Sequence, residues 1–336
     1  MSLHSPHDAA ISILSRKPVF QPITPFHIRE QIWDLFYGDQ DVAEKMYHLV
    51  TTSHSPWKIR ERLWAFMASQ AKDCDDTACP EEKISIQEVQ TLLLEKLKDE
   101  GKKGFHFGLI ADGNRRWAKA NGLLKTIGHQ EGFKRIKDTI FSLIVKIPQI
   151  TEFSIYLLSC SNLDSRDKDE LENIYKILRD GHKDLLESAK EHKFKYRHAG
   201  EKQRLPKDIQ DLLRDLETQT EENNGIIIHL CINYDSELEY GRAARKLALS
   251  KSHEDIEKMS DREYAREIQK RSWIITPMDA AIRTGGDDRF SGFLGNRPCD
   301  ANCHLLSEKK CLPAITKQDL LAQIHRFATG ERRMGK

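Results

Sequence analysis

The segment HFGLIADGNRRWAKANG, residues 106–122, places an acid, a glycine, an amide and two arginines in one turn. A short apolar run ends there and a basic helix follows, so Asp112, Gly113 and Asn114 are predicted to connect a buried strand to a helix. The first amide groups of a helix lack partners within it and favour an anion such as a diphosphate. Asn114 and Arg116 can donate to phosphate oxygens, and Asp112 can hold a shared Mg²⁺ ion. An ordinary Asp-Gly turn is the alternative interpretation.

A second candidate anion site is the segment AAIRTGGDDRFSGF, which starts at residue 280. Arg283 and Arg289 flank a glycine pair directly after a predicted strand, and Ser291 follows them. Paired guanidinium groups bind phosphate oxygens in a bidentate way that lysines do not. A surface loop closed by salt bridges would have the same composition. Together, the two segments indicate an enzyme that holds two diphosphate substrates in one cleft.

The elements that must position these residues fall into two parts of the chain. Residues 1–103 show apolar residues at helical spacing and contain no convincing strand, which predicts an all-helical N-terminal extension. Residues 104–336 alternate short apolar runs with amphipathic helices, which predicts an α/β domain with a mostly parallel central sheet and helices on both faces. Both candidate sites follow predicted strands, where ligands bind in such sheets. The predicted strands are FHFGLIA, ITEFSIYLLS, KFKYRHAG, IIIHLCIN and MDAAIRT.

Composition limits the class of protein. The 53 basic and 52 acidic residues give a net charge of +1, so no global field would attract a nucleic acid. No apolar run approaches the roughly 20 residues that span a bilayer, and the N-terminus lacks a signal-peptide pattern. A cytoplasmic protein is therefore expected. The helical extension could still bring it to a membrane surface, although its mixed charges give no basic face.

The seven cysteines are an odd number in a mid-sized chain, which predicts reduced thiols rather than a disulfide framework. Cys299, Cys303, His304 and Cys311 could in principle supply ligands to zinc. Their spacing is not that of a usual zinc knuckle, and cysteines outside such motifs are more often small buried hydrophobic residues.

With these motifs the chain resembles the cis-prenyltransferases, the family that includes undecaprenyl diphosphate synthase and dehydrodolichyl diphosphate synthase. The first segment is similar to the family's first signature, and IGHQEGF, YLLSCSNLDSRDKDEL, GEKQRLPKDI, NGIIIHLCINYD and IRTGGDDRFSGF follow in the family's order over residues 104–336. The resemblance implies a homodimer that uses Mg²⁺ to condense isopentenyl diphosphate with an allylic prenyl diphosphate, giving a cis (Z) prenyl diphosphate. It also implies an apolar tunnel for the product near residues 133–147, although a plain core helix explains most of those residues.

The resemblance assigns roles residue by residue. Asp112 would be the catalytic Mg²⁺ ligand, Asn162 a second catalytic residue and Trp117 a substrate contact. The implied ligands of the allylic diphosphate are Gly113, Asn114, Arg116, Lys125, His129 and Arg166, and those of isopentenyl diphosphate are Arg283, Arg289 and Ser291. Lys125 stands where the family commonly has arginine, and Arg166 matches after the insertion of one residue.

Three departures from the family pattern affect the metal shell and the subunit boundary. Residues 235–237 read Asp-Ser-Glu where the family has two glycines and an arginine, and Ser161 and Leu163 replace a glutamate and a tryptophan. Asn302 stands in place of a glutamate that binds Mg²⁺ from the neighbouring subunit, and an amide is a poorer magnesium ligand. Two alternatives therefore stay open: a relative that acts on a prenyl diphosphate as a terpene synthase, cyclase or irregular-coupling enzyme, and a non-catalytic partner subunit of a two-chain prenyltransferase.

Overall fold

The computed structural model describes residues 83–330, which belong to a compact unit that runs from Lys83 to Lys336. Most of the predicted helical extension, residues 1–82, lies outside the described residues. The compact unit thus begins before the boundary predicted at residue 104.

Helices and strands alternate along the described chain. The α-helices are α1 (Ile86–Glu100), α2 (Asn114–Ala120), α3 (Lys125–Arg135), α4 (Ser142–Ile144), α5 (Cys160–Ser165), α6 (Lys168–His192), α7 (Lys207–Gln219), α8 (Ser236–Ser250), α9 (His253–Glu257), α10 (Asp261–Gln269) and α11 (Lys317–Thr329). A π-helical turn, Ile136–Phe141, joins α3 to α4. Short 3₁₀ turns occur at Lys202–Arg204, Leu294–Asn296, Pro298–Asp300 and Leu312–Ala314. The strands are β1 (Phe105–Ile110), β2 (Ile150–Ser159), β3 (Lys195–Ala199), β4 (Ile227–Tyr234), β5 (Ala280–Arg283) and β6 (His304–Ser307).

The six strands form one parallel sheet in the order β3-β4-β2-β1-β5-β6. The five predicted strands are confirmed, and β6 adds an edge strand that the sequence pattern did not predict. All six residues of β1 are buried, as expected where helices cover both faces of a parallel sheet. The predicted α/β class is therefore confirmed.

Two apolar layers cover the sheet. On one face, Phe105, Phe107 and Leu109 of β1 join a large core with the surrounding helices. On the other face, Tyr156 and Phe293 belong to a smaller cluster, with ring centroids 4.9 Å apart. These two apolar layers hold the strands in place, and the strands in turn position the loops that follow their carboxyl ends.

Helix α1 belongs to the larger core. Its buried residues Val89, Leu93 and Leu97 recur at four-residue spacing and pack in that core. Ser85 caps its first turn, and the helix ends at Gly101 in the left-handed conformation, as the sequence predicted. Within residues 83–330, no helix combines the length and the apolar composition that a bilayer crossing requires.

Candidate active site

Asp112 lies in the turn between β1 and α2, and the backbone fixes its position. Its N–H donates to the Thr284 hydroxyl at 2.9 Å, and that hydroxyl lies 2.7 Å from the Asp112 carbonyl oxygen. The Gly113 N–H donates to Asp112 Oδ1 at 2.6 Å. Gly113 has a φ of 96°, and a Cβ there would come 2.8 Å from Cys311 Sγ, so the turn requires glycine.

Arg283 meets Asp112 because β1 and β5 are paired in parallel, with Ile110 opposite Arg283. Its Nη2 donates to Asp112 Oδ2 at 2.9 Å and to Asp287 Oδ2 at 3.3 Å. Its Nη1 donates to Ser291 Oγ at 2.7 Å and to the Arg289 carbonyl. We call Arg283, Asp112, Asp287, Arg289 and Ser291 the Arg283 cluster. It brings the first candidate turn and the second candidate loop into direct contact.

Arg116 makes a second connection between the same two loops. Its Nη1 donates to the Gly285 carbonyl at 2.6 Å, and its Nη2 lies 3.3 Å from Asp112 Oδ1. Gly285 has a φ of 87°, and a Cβ there would lie 2.4 Å from Arg116 Nη2. The first glycine of the pair therefore allows the arginine to approach, and the two predicted anion sites share one surface.

The charges in the Arg283 cluster favour ionised carboxylates. Burial opposes ionisation of Asp112, but the hydrogen bonds from Arg283 and Gly113 and the charge of Arg116 hold its pKa below the ordinary value. Arg289 chelates Asp287 through Nε at 3.0 Å and Nη2 at 2.7 Å, and this contact lowers the pKa of Asp287. The Arg289 side chain is 75% exposed, so its guanidinium is accessible to a ligand.

Three predicted residues, Lys125, His129 and Arg166, converge on Glu170, a carboxylate that the sequence analysis did not single out. Arg115, which was also not predicted, joins them. The Glu170 oxygens lie 3.3 Å from Arg166, 3.5 Å from His129, 3.7 Å from Arg115 and 3.9 Å from Lys125. We call these five residues the Glu170 cluster. Three charged side chains surround one carboxylate, so the cluster carries a net positive charge and suits an anion.

Hydrogen bonding within the Glu170 cluster is incomplete. Glu170 Oε1, His129 Nε2 and Arg166 Nε are buried and have no hydrogen-bond partner. Burial, and next the charge of Arg166, lowers the pKa of His129 to about 4, so its imidazole is neutral at pH 7. Burial also lowers the pKa of Arg166, against the charges of Glu170 and Asp112. A bound diphosphate would supply the missing acceptors for the nitrogen atoms.

An apolar cavity opens beside the Glu170 cluster. Its empty volume is about 520 Å³, open solvent at its mouth included. Ala111, Asn114 and His129 line it near the cluster, and Phe133, Ile136, Leu157, Leu158, Ile174, Ile177 and Leu178 are among the apolar residues that line the rest. Ile140, Phe141, Leu143, Ile144 and Ile147 pack in the large core instead. Part of the 133–147 segment therefore borders a space for an apolar chain, and the rest is core.

Comparison with known proteins agrees with this arrangement. The family model for undecaprenyl diphosphate synthase matches residues 110–335, more than half of the chain. The chain belongs to the cis-prenyltransferase family. It is therefore a prenyltransferase by family, and the resemblance of its motifs is confirmed.

Individual relatives support the family assignment over most of their length. The chain is 33% identical over 207 residues to a tritrans,polycis-undecaprenyl-diphosphate synthase (GGDP specific) of Sulfolobus acidocaldarius, covering 61% of this chain and 78% of the relative. It is 30% identical over 233 residues to an isoprenyl transferase of Treponema denticola, covering 68% and 96%. Among solved structures, lavandulyl diphosphate synthase from Lavandula x intermedia in complex with dimethylallyl diphosphate is similar, with a TM-score of 0.61, 26% identity and coverage of 69% and 98%.

The other residues predicted from the family lie at the same edge of the sheet but outside the two ion-pair clusters. Asn162 is in the first turn of α5, which follows β2, and its N–H donates to Ser159 Oγ at 3.0 Å. Trp117 is half-buried on α2. The Asn114 side chain packs against α3, where a Cβ on Gly132 would come 2.4 Å from Asn114 Oδ1.

The residues fit a Mg²⁺ ion held by one carboxylate. Asp112 is ionised and partly exposed, and Mg²⁺ commonly binds one or two carboxylates together with substrate phosphates and water. Asn302, at the place of the family's glutamate, lies in an exposed turn before β6, at the opposite edge of the sheet from Asp112 within this chain. Nearby Asp300 is buried and accepts from Arg297 Nε at 2.6 Å, so it does not replace that glutamate.

A different group could hold a metal elsewhere. Within residues 83–330, His106, Glu152 and His229 form a group of potential metal ligands. Their ligand atoms all lie within 4.8 Å of one another. In this described part of the chain, the cysteines and histidine of CDANCHLLSEKKC do not form such a group. Burial raises the pKa of Cys299 to about 11, which disfavours the thiolate that zinc would require.

Signals for the missed residues were present in the sequence. Glu170, in the first turn of α6, follows Arg166 by four residues, and Arg166 lies in extended backbone just before that helix. Asp287 precedes Arg289 by two residues. Neither spacing shows which carboxylate gathers several cations, because that depends on how α2, α3 and α6 meet.

Proposed function

We propose that this prenyltransferase is a Mg²⁺-dependent enzyme that condenses isopentenyl diphosphate with an allylic prenyl diphosphate to form a cis (Z) prenyl diphosphate. The observation that carries the proposal is the 2.9 Å contact between Asp112 and Arg283. These residues belong to the sites expected for two different diphosphates. Their contact supports adjacent binding of the two substrates, which makes the coupling step effectively intramolecular.

The two clusters have separate tasks in this proposal. The Glu170 cluster, with the Gly113 N–H and Arg116, binds the allylic diphosphate, and its hydrocarbon chain extends into the adjacent cavity. Arg283, Arg289 and Ser291 bind the diphosphate of isopentenyl diphosphate. The apolar walls of the cavity exclude water from the hydrocarbon and from the reacting carbon.

The reaction breaks the allylic C–O bond, forms a C–C bond to the isopentenyl double bond and ends with loss of a proton. Asp112 would hold Mg²⁺, which supplies positive charge to the departing diphosphate when it is bound. Arg166, Arg115 and Lys125 would stabilise the same developing charge from fixed positions. Arg283 holds the second substrate in line, because its guanidinium is fixed by several hydrogen bonds.

The proposal is tested with purified full-length protein, Mg²⁺ and labelled isopentenyl diphosphate. Dimethylallyl, geranyl, farnesyl and geranylgeranyl diphosphate are supplied as separate primers, and intact products are identified by mass spectrometry. Products that grow in five-carbon steps with cis double bonds are expected with at least one primer. Absence of coupling with all four primers would overturn the proposal.

A second candidate is irregular coupling or cyclisation of a prenyl diphosphate. It is favoured by Asn302 in place of the family's metal-binding glutamate and by the similar lavandulyl diphosphate synthase structure, which contains dimethylallyl diphosphate. Incubation with each allylic diphosphate alone, followed by gas chromatography after phosphatase treatment, separates the candidates. A branched or cyclic product formed without isopentenyl diphosphate would favour the second candidate over the first.

A homodimer and a peripheral contact with membranes stay predictions of the sequence. Sedimentation equilibrium of the full chain is expected to give twice the mass of 38.8 kDa. Co-sedimentation with liposomes, compared between the full chain and a chain that starts at Lys83, measures whether residues 1–82 bind a membrane. Equal binding by the two chains would contradict a membrane role for that segment.

A further inference from the structure

The group His106, Glu152 and His229, which we call the His106 triad, lies at the amino ends of three adjacent strands. His106 is the second residue of β1, and Glu152 and His229 are the third residues of β2 and β4. His106 is opposite Glu152 and Ser154 is opposite His229 in the parallel register, so all four side chains share one face of the sheet. The triad therefore lies at the amino ends of the strands, whereas Asp112 lies beyond the carboxyl end of β1.

Hydrogen bonds define the state of His106. Its Nδ1 lies 3.1 Å from the Thr276 carbonyl oxygen, which can only accept, so Nδ1 carries the proton. Its Nε2 lies 2.7 Å from Ser154 Oγ, and the hydroxyl donates to it. The Nε2 lone pair therefore faces the interior of the group. A metal ion could bind His106 Nε2 in place of the Ser154 hydroxyl hydrogen, and the His106 ring would keep its proton on Nδ1.

Glu152 and His229 complete the group. His229 Nε2 donates to Glu152 Oε2 at 2.9 Å, and the Thr276 hydroxyl donates to Glu152 Oε1. The other ring nitrogen of His229, Nδ1, is buried and has no hydrogen-bond partner, and the residue is only 6% exposed. Buried polar atoms are normally hydrogen-bonded, so the group is incomplete as a hydrogen-bonded cluster.

The contacts of Glu152 are those of a carboxylate that can bind a metal. Both of its oxygens accept hydrogen bonds, Oε2 from His229 Nε2 and Oε1 from the Thr276 hydroxyl. A deprotonated carboxylate is the form that binds metals.

The nearest positive charge is compensated within the protein. Arg297 Nη2 donates to the Thr276 carbonyl at 3.4 Å. Its guanidinium also donates to Asp300 at 2.6 Å and to Glu239 at 3.4 Å, so two carboxylates balance it. Asp279 accepts a hydrogen bond from the backbone N–H of His106 at 3.0 Å and forms an ion pair with Lys102. The surroundings therefore present no net positive charge to a bound cation.

We propose that the His106 triad binds one Zn²⁺ ion. Two imidazoles and a carboxylate are an established donor set for zinc, with a fourth position left for water or the Ser154 hydroxyl. The ligand atoms lie within 4.8 Å of one another, and zinc–ligand distances in such sites are about 2.0–2.2 Å. Zinc at His229 Nε2 would replace the proton that this nitrogen donates to Glu152, and that proton would move to Nδ1 of the same ring or be released to solvent. The ion ties β1, β2 and β4 together away from the catalytic edge, so its role is structural. Mg²⁺ prefers oxygen ligands and does not compete at this site.

The test uses the full-length protein after treatment with a chelator, in buffer that contains Mg²⁺. Zinc chloride is titrated by calorimetry against a competing chelator, and the zinc-loaded protein is examined by X-ray absorption spectroscopy. We expect one tightly bound Zn²⁺ per chain. The expected shell contains two imidazole nitrogens and oxygens at about 2.0–2.2 Å and lacks sulfur at about 2.3 Å.

Variants link the ion to these residues. His229→Gln and Glu152→Gln are each expected to weaken zinc affinity by at least about a hundredfold. His198→Gln is the matched control, because His198 is a buried histidine on β3 whose Nε2 bonds to the Ile232 carbonyl at 3.0 Å outside the triad. It should keep the wild-type affinity. Circular dichroism at 20 °C checks that each variant is folded.

Three results would overturn the zinc site: no binding by the wild-type chain, a sulfur-containing shell, or equal affinity in both triad variants and the control. The spectroscopic result on the wild-type chain decides the matter even if a triad variant fails to fold. Because every readout is metal binding, failure of the prenyl transfer assay would not affect the outcome.

Discussion

The Glu170 cluster and the Arg283 cluster both gather positive charge around carboxylates, but they differ in burial and in bonding. The side chain of Glu170 is 7% exposed, against 34% for Asp112 and 23% for Asp287. The contacts of Glu170 with its cations are 3.3–3.9 Å long, whereas Asp112 and Ser291 accept from Arg283 at 2.7–2.9 Å.

This difference indicates how each cluster receives a ligand. The Glu170 cluster contains two buried nitrogen atoms without hydrogen-bond partners, His129 Nε2 and Arg166 Nε, so an incoming diphosphate can add bonds there. In the Arg283 cluster, most donors already have internal acceptors, so a ligand must exchange bonds. These contacts support the proposed role of the Glu170 cluster as the receptor for a diphosphate, whereas a ligand of the Arg283 cluster must replace internal hydrogen bonds.

The largest expected effect comes from Asp112, which pairs with Arg283 and lies 3.3 Å from Arg116. Asp112→Asn keeps the shape of the side chain but removes the charge that pairs with Arg283 and is proposed to hold Mg²⁺, so kcat should fall by about a thousandfold. Asp287→Asn is the control at a carboxylate that also contacts Arg283, and it should cost less than about tenfold. Steady-state assays with labelled isopentenyl diphosphate measure both. Wild-type activity of Asp112→Asn within a two-chain complex would favour the partner-subunit alternative.

Within the Arg283 cluster, the buried and the exposed arginine should respond differently to the same change. Arg283→Lys removes a guanidinium that contacts four acceptors, and kcat/KM for isopentenyl diphosphate should fall by about a hundredfold. Arg289→Lys keeps a charge at an exposed position and should cost about tenfold. Equal losses in the two variants would contradict the difference in burial that separates them.

The free energy of unfolding also distinguishes the two clusters when the charge of Glu170 is removed. Glu170→Gln leaves the surrounding cations without their buried carboxylate, so the free energy of unfolding should fall by about 2 kcal/mol. Pyrophosphate should then raise the melting temperature more in this variant than in the wild type, because it replaces the lost negative charge. Asp287→Asn serves as the control in thermal unfolding experiments. A smaller pyrophosphate shift in Glu170→Gln than in the wild type would contradict the receptor role.

The pH dependence of stability also distinguishes the two clusters, because only the Glu170 cluster contains a histidine. Folded His129 takes up a proton near pH 4, whereas the unfolded chain does so near 6.5. As the pH falls below 6.5, the unfolded state therefore binds more protons and stability decreases, until the folded pKa near 4 is reached.

His129→Gln should remove part of this decline, on the order of 2 kcal/mol, in urea unfolding at pH 7 and pH 4.5. Buried His106 and His198 contribute to the rest of the decline, because their pKa values are also lowered to about 4. His253→Gln, at a fully exposed position, should leave the decline unchanged. An unchanged decline in His129→Gln would contradict the assigned pKa.

The sheet was largely predictable because its strands are short apolar runs buried on both faces. The edge strand β6 was missed, since it has only four residues, three of them half-buried, inside a cysteine-rich segment that suggested zinc chemistry. The boundary predicted at residue 104 followed the change from helices to strands. Helix α1 precedes that change but packs with the sheet core through Val89, Leu93 and Leu97, and amphipathic spacing alone does not show which surface a helix covers.

The site residues followed from motifs, but their partners did not. Asp112 and Arg283 were predicted as residues at the carboxyl ends of strands, and the pairing of β1 with β5 brings them into contact. Glu170 and the His106 triad were not predicted, because each depends on contacts between distant segments. His106 and His229, for example, meet only through the register of both strands with β2.

Arg283 illustrates a wider consequence of internal pairing. Four of its five N–H donors are engaged by Asp112, Asp287, Ser291 and the Arg289 carbonyl, and its Nε is buried without a partner. Any ligand must outcompete two carboxylates that are already in place. This competition favours a ligand that carries several negative charges, such as a diphosphate, over a monoanion.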